Sequence, residues 1–179
     1  CCKDVRVMRS LMIPYNLVPR SEWGDATMIG GNFVSWYSGF DSYIVAREIG
    51  DPIWAPSMGR KQPQEDAIED IKYMSYMNWR EWITALSQFN IGVHLMRTHA
   101  AGTFAMNCAW HGIPCIGYKG LDTQENCHPL TTVKVGDLDH AVEIANKLKQ
   151  NKFYNMCSQT SRERFERFYT EEEWLENWE

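Results

Sequence analysis

From Ala26 onward, short apolar runs alternate with segments in which apolar residues recur every three or four positions. Ala26–Ile29 is the first run and ends in Gly30-Gly31-Asn32, which predicts a strand followed by a turn. Asp41 then precedes Ile44, Val45 and Ile49, spaced for one helical face, and Gly50 supplies the stop. Ile53-Trp54-Ala55 reads as a second short strand, and the polar stretch 62–70 as a partial helix. Residues 71–77 predict a third strand, with Ile71, Tyr73, Ser75 and Met77 on one face. Asn78 is placed to cap a helix in which Trp79, Trp82, Ile83, Leu86 and Phe89 share a face.

The rhythm continues to the end of the chain. Residues 91–96 predict a fourth strand, 103–110 a helix stopped by Gly112 and Pro114, 113–118 a fifth strand and 131–135 a sixth. Asp137 caps a helix with Ala141, Ile144, Ala145 and Leu148 inward; 161–169 is helical; Thr170 with Glu173 forms a capping box before Trp174, Leu175 and Trp178. Short strands alternating with helices of about ten residues predict an α/β domain over residues 26–179. It would be a Rossmann-like parallel sheet with helices on both faces. Residues 1–25 lack a period and read as a linker or edge segment.

In such a sheet, ligands bind beyond the carboxyl ends of the strands. The segment Thr98-His99-Ala100-Ala101-Gly102-Thr103 leaves the fourth strand at that edge. Its small residues allow close approach to backbone, and the helix beginning near Thr103 offers free N–H groups and the positive end of its dipole. Together these suit a phosphate or diphosphate. Thr103 adds a hydroxyl, His99 a ring donor, and Asn107, one turn on, an amide that reaches a sugar hydroxyl. Lys119, Asp122 and Gln124 follow the fifth strand at the same edge, as candidates for phosphate and for sugar hydroxyls. The same features also serve plain packing: small residues let helices approach, His99 can satisfy a loop carbonyl, and Lys119 can be merely solvated.

Bulk numbers narrow the classes. The 179 residues suit one domain, and 44% hydrophobic with 23% charged residues is enough for an ordinary core. A net charge of −5 disfavours bulk nucleic-acid binding, and no apolar run reaches the roughly 20 residues a membrane span needs. Six cysteines without a C-x-x-C pair read as reduced core thiols and a cytoplasmic protein. Cys108, His111 and Cys115 are the one weak alternative, a zinc site. With no initiator Met and no signal peptide, the chain is expected to be a piece of a longer protein.

The run His99 to Thr103, then Asn107, Gly112-Ile113-Pro114-Cys115-Ile116 and Asp122-Thr123-Gln124, resembles the donor-binding, C-terminal half of GT-B glycosyltransferases. The resemblance spans about residues 26–178 and is shared with nucleotide-sugar 2-epimerases. It implies that His99, Gly102 and Thr103 hold the donor diphosphate, with the backbone of Gly30 and Gly31 close by. It places the base near 76–79, the ribose near Asn107, and the transferred sugar at Asp122 and Gln124. Asn107 stands where the family usually has Glu, so a charge-assisted hydrogen bond is lost there. Arg60, Lys61 and Lys119 are the candidate phosphate cations, Arg60 and Lys61 reading equally as solvated surface.

The implied reaction is transfer of a sugar from a nucleotide-diphosphate sugar to an acceptor hydroxyl, with no metal and no cofactor beyond the donor itself. The implied partner is an N-terminal, acceptor-binding domain carrying the catalytic base, which residues 1–25 are too short to build. Trp174 and Trp178 would pack on that domain or, without it, in a homodimer. Two other readings remain: a non-catalytic nucleotide-binding module of the same fold, and a fragment of a nucleotide-sugar 2-epimerase.

Overall fold

A computed structural model describes residues 9–57, 62–98 and 102–176. Its centre is a six-stranded, wholly parallel sheet: β1 Ala26–Ile29, β2 Ile53–Pro56, β3 Ile71–Met74, β4 Phe89–His94, β5 Cys115–Tyr118 and β6 Thr132–Val133. The order is β3-β2-β1-β4-β5-β6, so the winding reverses between β1 and β4. At such a switch point the connections leave in opposite directions and open a crevice at the carboxyl edge.

Helices cover both faces, as parallel strands require. On one side α1 (Gly39–Ile49), α5 (Leu138–Leu148) and the start of α6 (Asn151–Phe168) enclose Ile29, Val45, Ile91, Val93, Ile144 and Tyr154. On the other, α2 (Trp79–Leu86) and α3 (Thr103–His111) bury Met28, Leu86, Phe104, Cys108 and Cys115. A third cluster, with Met12, Ile83, Trp110, Phe165 and Tyr169, joins α2 and α3 to α6 and the amino-terminal segment. Two short helices, α4 (Asp122–Cys127) and α7 (Glu171–Glu176), complete the set.

Several expected elements shift. β3 stops at Met74, whose carbonyl accepts from Ser57 N, and Ser75–Met77 become a loop before α2. Asn78 caps α2 as expected, accepting from Glu81 N at 3.0 Å while Glu81 Oε2 accepts from Asn78 N at 3.1 Å. Phe89 belongs to β4 and not to the preceding helix, paired with Ala26 where the β1–β4 register shifts. Asp41 is no cap: Ser38, in left-handed backbone at φ 50°, precedes α1, and Asp41 lies inside its first turn. There it accepts from Arg97 at 2.8 Å and Tyr118 Oη at 3.1 Å. Ile44 faces solvent, and Ser42 and Ala46 join Val45 and Ile49 on the buried face. The polar stretch 62–70 holds only a 3-10 turn, Pro63–Ala67, while 151–168 is one long helix and 122–127 a helix where a loop was expected. The four described cysteines are free and buried.

The described part of 1–25 is bound to the domain through Arg20, which is buried. Its guanidinium donates to Phe89 O at 2.6 Å, His111 O at 3.1 Å, Gly112 O at 2.9 Å and Tyr154 Oη at 2.5 Å. Arg162 Nη2 adds bonds to His111 O at 2.9 Å and to Arg20 O at 2.7 Å. Two cations therefore sit on the carbonyl-rich, negative end of α3, where orphan acceptors and the dipole both favour them. Gly112 closes the helix with φ 67°, a left-handed conformation that favours glycine.

Replacing Arg20 with Leu should cost about 3 kcal/mol, because carbonyls at the end of α3 and at Phe89 lose a charged donor. The corresponding fall in Tm, on the order of 10 °C, is measurable by calorimetry. A second expectation concerns acid. Burial holds His94, His111 and His128 neutral, each with its pKa lowered to about 4. In the unfolded chain these imidazoles protonate near 6.5. The stability their depressed pKa values contribute is therefore complete above pH 6.5 and is lost as pH falls through 4. Three such groups give a slope of at most roughly 4 kcal/mol per pH unit in that window, to be read from urea melts at stepped pH.

Candidate functional site

The crevice beside the switch point holds a cleft of about 580 Å³, within the usual range for small-ligand sites. Five stretches of chain build it. Gly30 comes from the end of β1, Pro56 and Ser57 from β2, and Met74–Met77 from β3 and its loop. Helix α3 contributes Thr103, Phe104 and Asn107, and α2 contributes Trp82. The lining combines aromatic and methionine side chains, Tyr76, Met77 and Trp82, with the amino terminus of α3 at Thr103. The first set suits a flat apolar ring, and the helix terminus an anion.

Three of the sequence-predicted residues meet here: Gly30, Thr103 and Asn107. So do Tyr76 and Met77, from the segment expected near a base. Thr103 is exposed at the first turn of α3. Asn107 is almost covered, with its amide oriented to donate to Thr103 O at 3.2 Å and to accept from Trp82 Nε1 at 3.2 Å. That leaves one N–H of the amide for a ligand. Gly30 has a structural reason to be glycine, since a Cβ there would fall within 2.8 Å of His94 Cγ and against the Phe104 ring.

Other candidates stand apart from the cleft. Gly31 lies under the Tyr37 ring. Gly102, which precedes α3, is buried, and its carbonyl accepts from Thr123 Oγ1 at 2.6 Å. Gln124 is 1% exposed and turned inward: its Nε2 donates to Cys115 O at 2.9 Å and to Thr132 Oγ1 at 3.3 Å. Since 122–127 is helical, this amide braces β5 against β6 rather than facing a sugar. Asp122 is exposed beside Tyr169 Oη, 3.5 Å away, and Lys119 is exposed beyond β5. His99, Arg60 and Lys61 lie outside the described residues.

The Cys108–His111–Cys115 alternative fails on geometry. His111 Nδ1 accepts from Arg20 N at 3.1 Å and its Nε2 bonds Ile83 O at 2.8 Å, so neither nitrogen is available to a metal. The chain has one Asp-x-Asp, Asp137-Leu138-Asp139, at the start of α5, where Asp137 Oδ1 accepts from His140 N at 3.1 Å. No group of three or more His, Cys, Asp or Glu among the described residues is arranged to hold a metal ion.

Pattern reading missed Pro56, Ser57, Met74, Trp82 and Phe104 as lining residues. Trp82 carried a usable signal: an indole N–H needs a partner when covered, and Asn107 is that partner. A second cleft, of about 570 Å³, lies against the opposite end of α3 between Met12–Tyr15, Trp110 and Phe165. Glu166 and Glu171 line it at the negative end of the helix, and the one cation among its described lining residues, Arg162, is engaged by His111 O and Arg20 O, which does not favour a phosphate there.

No family model matches the sequence, and no curated protein matches it by sequence. Among solved structures, the chain is similar to a Staphylococcus aureus TarM mutant in complex with fondaparinux, α-GlcNAc-glycerol and UDP (TM-score 0.76, 10% identity). It is also similar to AviGT4, a glycosyltransferase involved in avilamycin A biosynthesis (TM-score 0.75, 13% identity). A third is the lipopolysaccharide outer core galactosyltransferase WaaB (TM-score 0.71, 12% identity). These matches cover 99%, 99% and 98% of this chain but only 39%, 57% and 54% of the other proteins. At such identities the likeness is one of fold: the chain has the Rossmann-like fold that GT-B glycosyltransferases share, and it spans about half the length of those proteins.

Proposed function

We propose that this chain is the donor-binding part of a glycosyltransferase that moves a sugar from a nucleotide-diphosphate sugar to an acceptor hydroxyl. The observation that carries the reading is the cleft itself. It places an aromatic end at Tyr76 and Trp82 and the amino terminus of α3 at Thr103 in one continuous lining, at the switch point of a parallel sheet. In this reading the base lies against Tyr76 and Met77, and Asn107 bonds a ribose hydroxyl. The diphosphate sits at the N–H groups that open α3, near the backbone of Gly30. The neighbour solved with UDP, at TM-score 0.76, supports a uridine nucleotide as the first one to try.

Transfer then needs no metal. As the acceptor oxygen attacks the anomeric carbon, the bond to the diphosphate breaks and negative charge grows on the leaving group. Fixed N–H dipoles at the start of α3 stabilise that charge without reorganising. The acceptor site and the base that takes its proton belong to a second domain, for which the shortfall in length against the neighbours leaves room. Alone, the chain binds nucleotide and transfers little. That behaviour is also what a non-catalytic module would show, and Asn107 in place of Glu favours it; adding a partner domain separates the two.

Titration calorimetry with UDP, GDP and ADP tests the reading. One of the three should bind, and Tyr76→Ala should weaken it about tenfold through lost base stacking. Tm should not change, because Tyr76 is 89% exposed. No binding by any of the three, or a Tyr76→Ala variant that binds as well as the parent, contradicts it. Ordinary turnover by the isolated 179-residue chain on a simple acceptor would overturn the claim that it only binds.

A further inference from the structure

The chain buries three histidines, and it treats one of them differently. His111 bonds Arg20 N and Ile83 O through its two ring nitrogens. His128 accepts from Cys115 N at 3.3 Å and bonds Ala105 O at 2.9 Å. His94 is 4% exposed, yet neither Nδ1 nor Nε2 has a partner among the described residues. A buried imidazole carries one donor and one acceptor, and leaving both unpaired is costly. A fold that satisfies both nitrogens in two comparable rings has the means to satisfy a third. The exception asks for a cause, and such exceptions accompany binding and catalysis.

Its position supplies one. His94 is the last residue of β4, on the face turned to α3, at the carboxyl edge beside the switch point. Two residues that pack on it both line the cleft. The Phe104 ring meets it edge-on, with centroids 5.4 Å apart at 78°. Gly30 lies directly against it: a Cβ there would stand 2.8 Å from His94 Cγ. His94 thus lies behind Gly30 and Phe104, beside the start of α3, where the proposed ligand is richest in oxygen.

We propose that His94 is a ligand-binding residue, its imidazole hydrogen-bonding an oxygen at the phosphate–sugar end of a nucleotide sugar that reaches it past Gly30. This rests on the nucleotide-sugar reading of the cleft. The contact is that of a neutral ring, so it selects by direction and not by charge. It orders the end of the donor where the reacting bond lies, which makes His94 a residue for specificity rather than for bulk affinity to anions.

The test uses the nucleotide diphosphate that the wild-type chain binds among UDP, GDP and ADP, together with its glucose conjugate. In His94→Leu the unpaired ring is gone, so the ligand-free Tm should hold or rise while affinity falls at least tenfold. His94→Gln, which keeps a donor and an acceptor, should recover to within about threefold of wild type. A loss seen with both compounds assigns the bond to a phosphate oxygen, and a loss confined to the glucose conjugate assigns it to the sugar; either supports the proposal. The ring 15N resonances of His94 in the wild-type chain should move on saturation, a readout that a packing role leaves still and that decides the matter if the Leu variant does not fold. Affinity within twofold of wild type in the variants, with unmoved ring resonances, overturns the role of His94 and leaves the nucleotide reading standing. Wild-type chain that binds none of the three nucleotides overturns both.

Discussion

Helix α3 is held at one end so that the other can be used. Its carbonyl end is capped by Arg20, which is buried, and Arg162, which is half-buried; their guanidiniums make six hydrogen-bond donations, to Phe89 O, His111 O, Gly112 O, Tyr154 Oη and Arg20 O. The other end opens on the cleft with Thr103 exposed. Cations at the C-terminus and an anion at the N-terminus act on the same dipole. The cap that fixes the helix in place also fixes the direction in which its free N–H groups point, and Arg20 draws in a segment 91 residues away in sequence to do so.

Sheet order decides what those N–H groups face. With β1 and β4 adjacent and the chain winding outward from both, Gly30 and the end of β4 meet α3 at the carboxyl edge. The residues between β3 and α2 close the side. Glycine at position 30 lets His94 and Phe104 approach β1 closely. Packing and ligand access make the same demand there, so a small residue at such a point is weak evidence for function until its neighbours are known. Gly31 and Gly102 likewise meet demands of the fold, one under Tyr37 and the other with its carbonyl bonded by Thr123.

Much of the fold is legible in the sequence because strong local signals agree. Alternation and apolar runs mark all six strands; Asn78 and Asp137 cap the helices they precede; Gly112 stops α3. What is not legible depends on partners distant in sequence. The 122–127 helix is short and polar, so no periodicity announces it, and only its burial of Gln124 against Cys115 O reveals that the amide nitrogen is engaged within the fold. Arg20 sits in an aperiodic stretch, and nothing local says that it will be buried. His94 looks like an ordinary strand position. Its unpaired nitrogens appear only when the ring is compared with His111 and His128 in three dimensions. The cleft was half visible: Thr103 and Asn107 follow from helix geometry, whereas Trp82 and Met74 join them through tertiary packing.

The central claim is that the N–H end of α3 and the aromatic wall at Tyr76 receive the two ends of one nucleotide. Backbone amide resonances of the 15N-labelled chain, followed through a UDP titration, locate the ligand directly. The account predicts saturable shifts at Gly30, Thr103 and Phe104 together with Tyr76 and Met77, and none around Trp110 or Phe165 at the capped end of the helix. Shifts confined to the capped end, or spread without saturation over the surface, would contradict it.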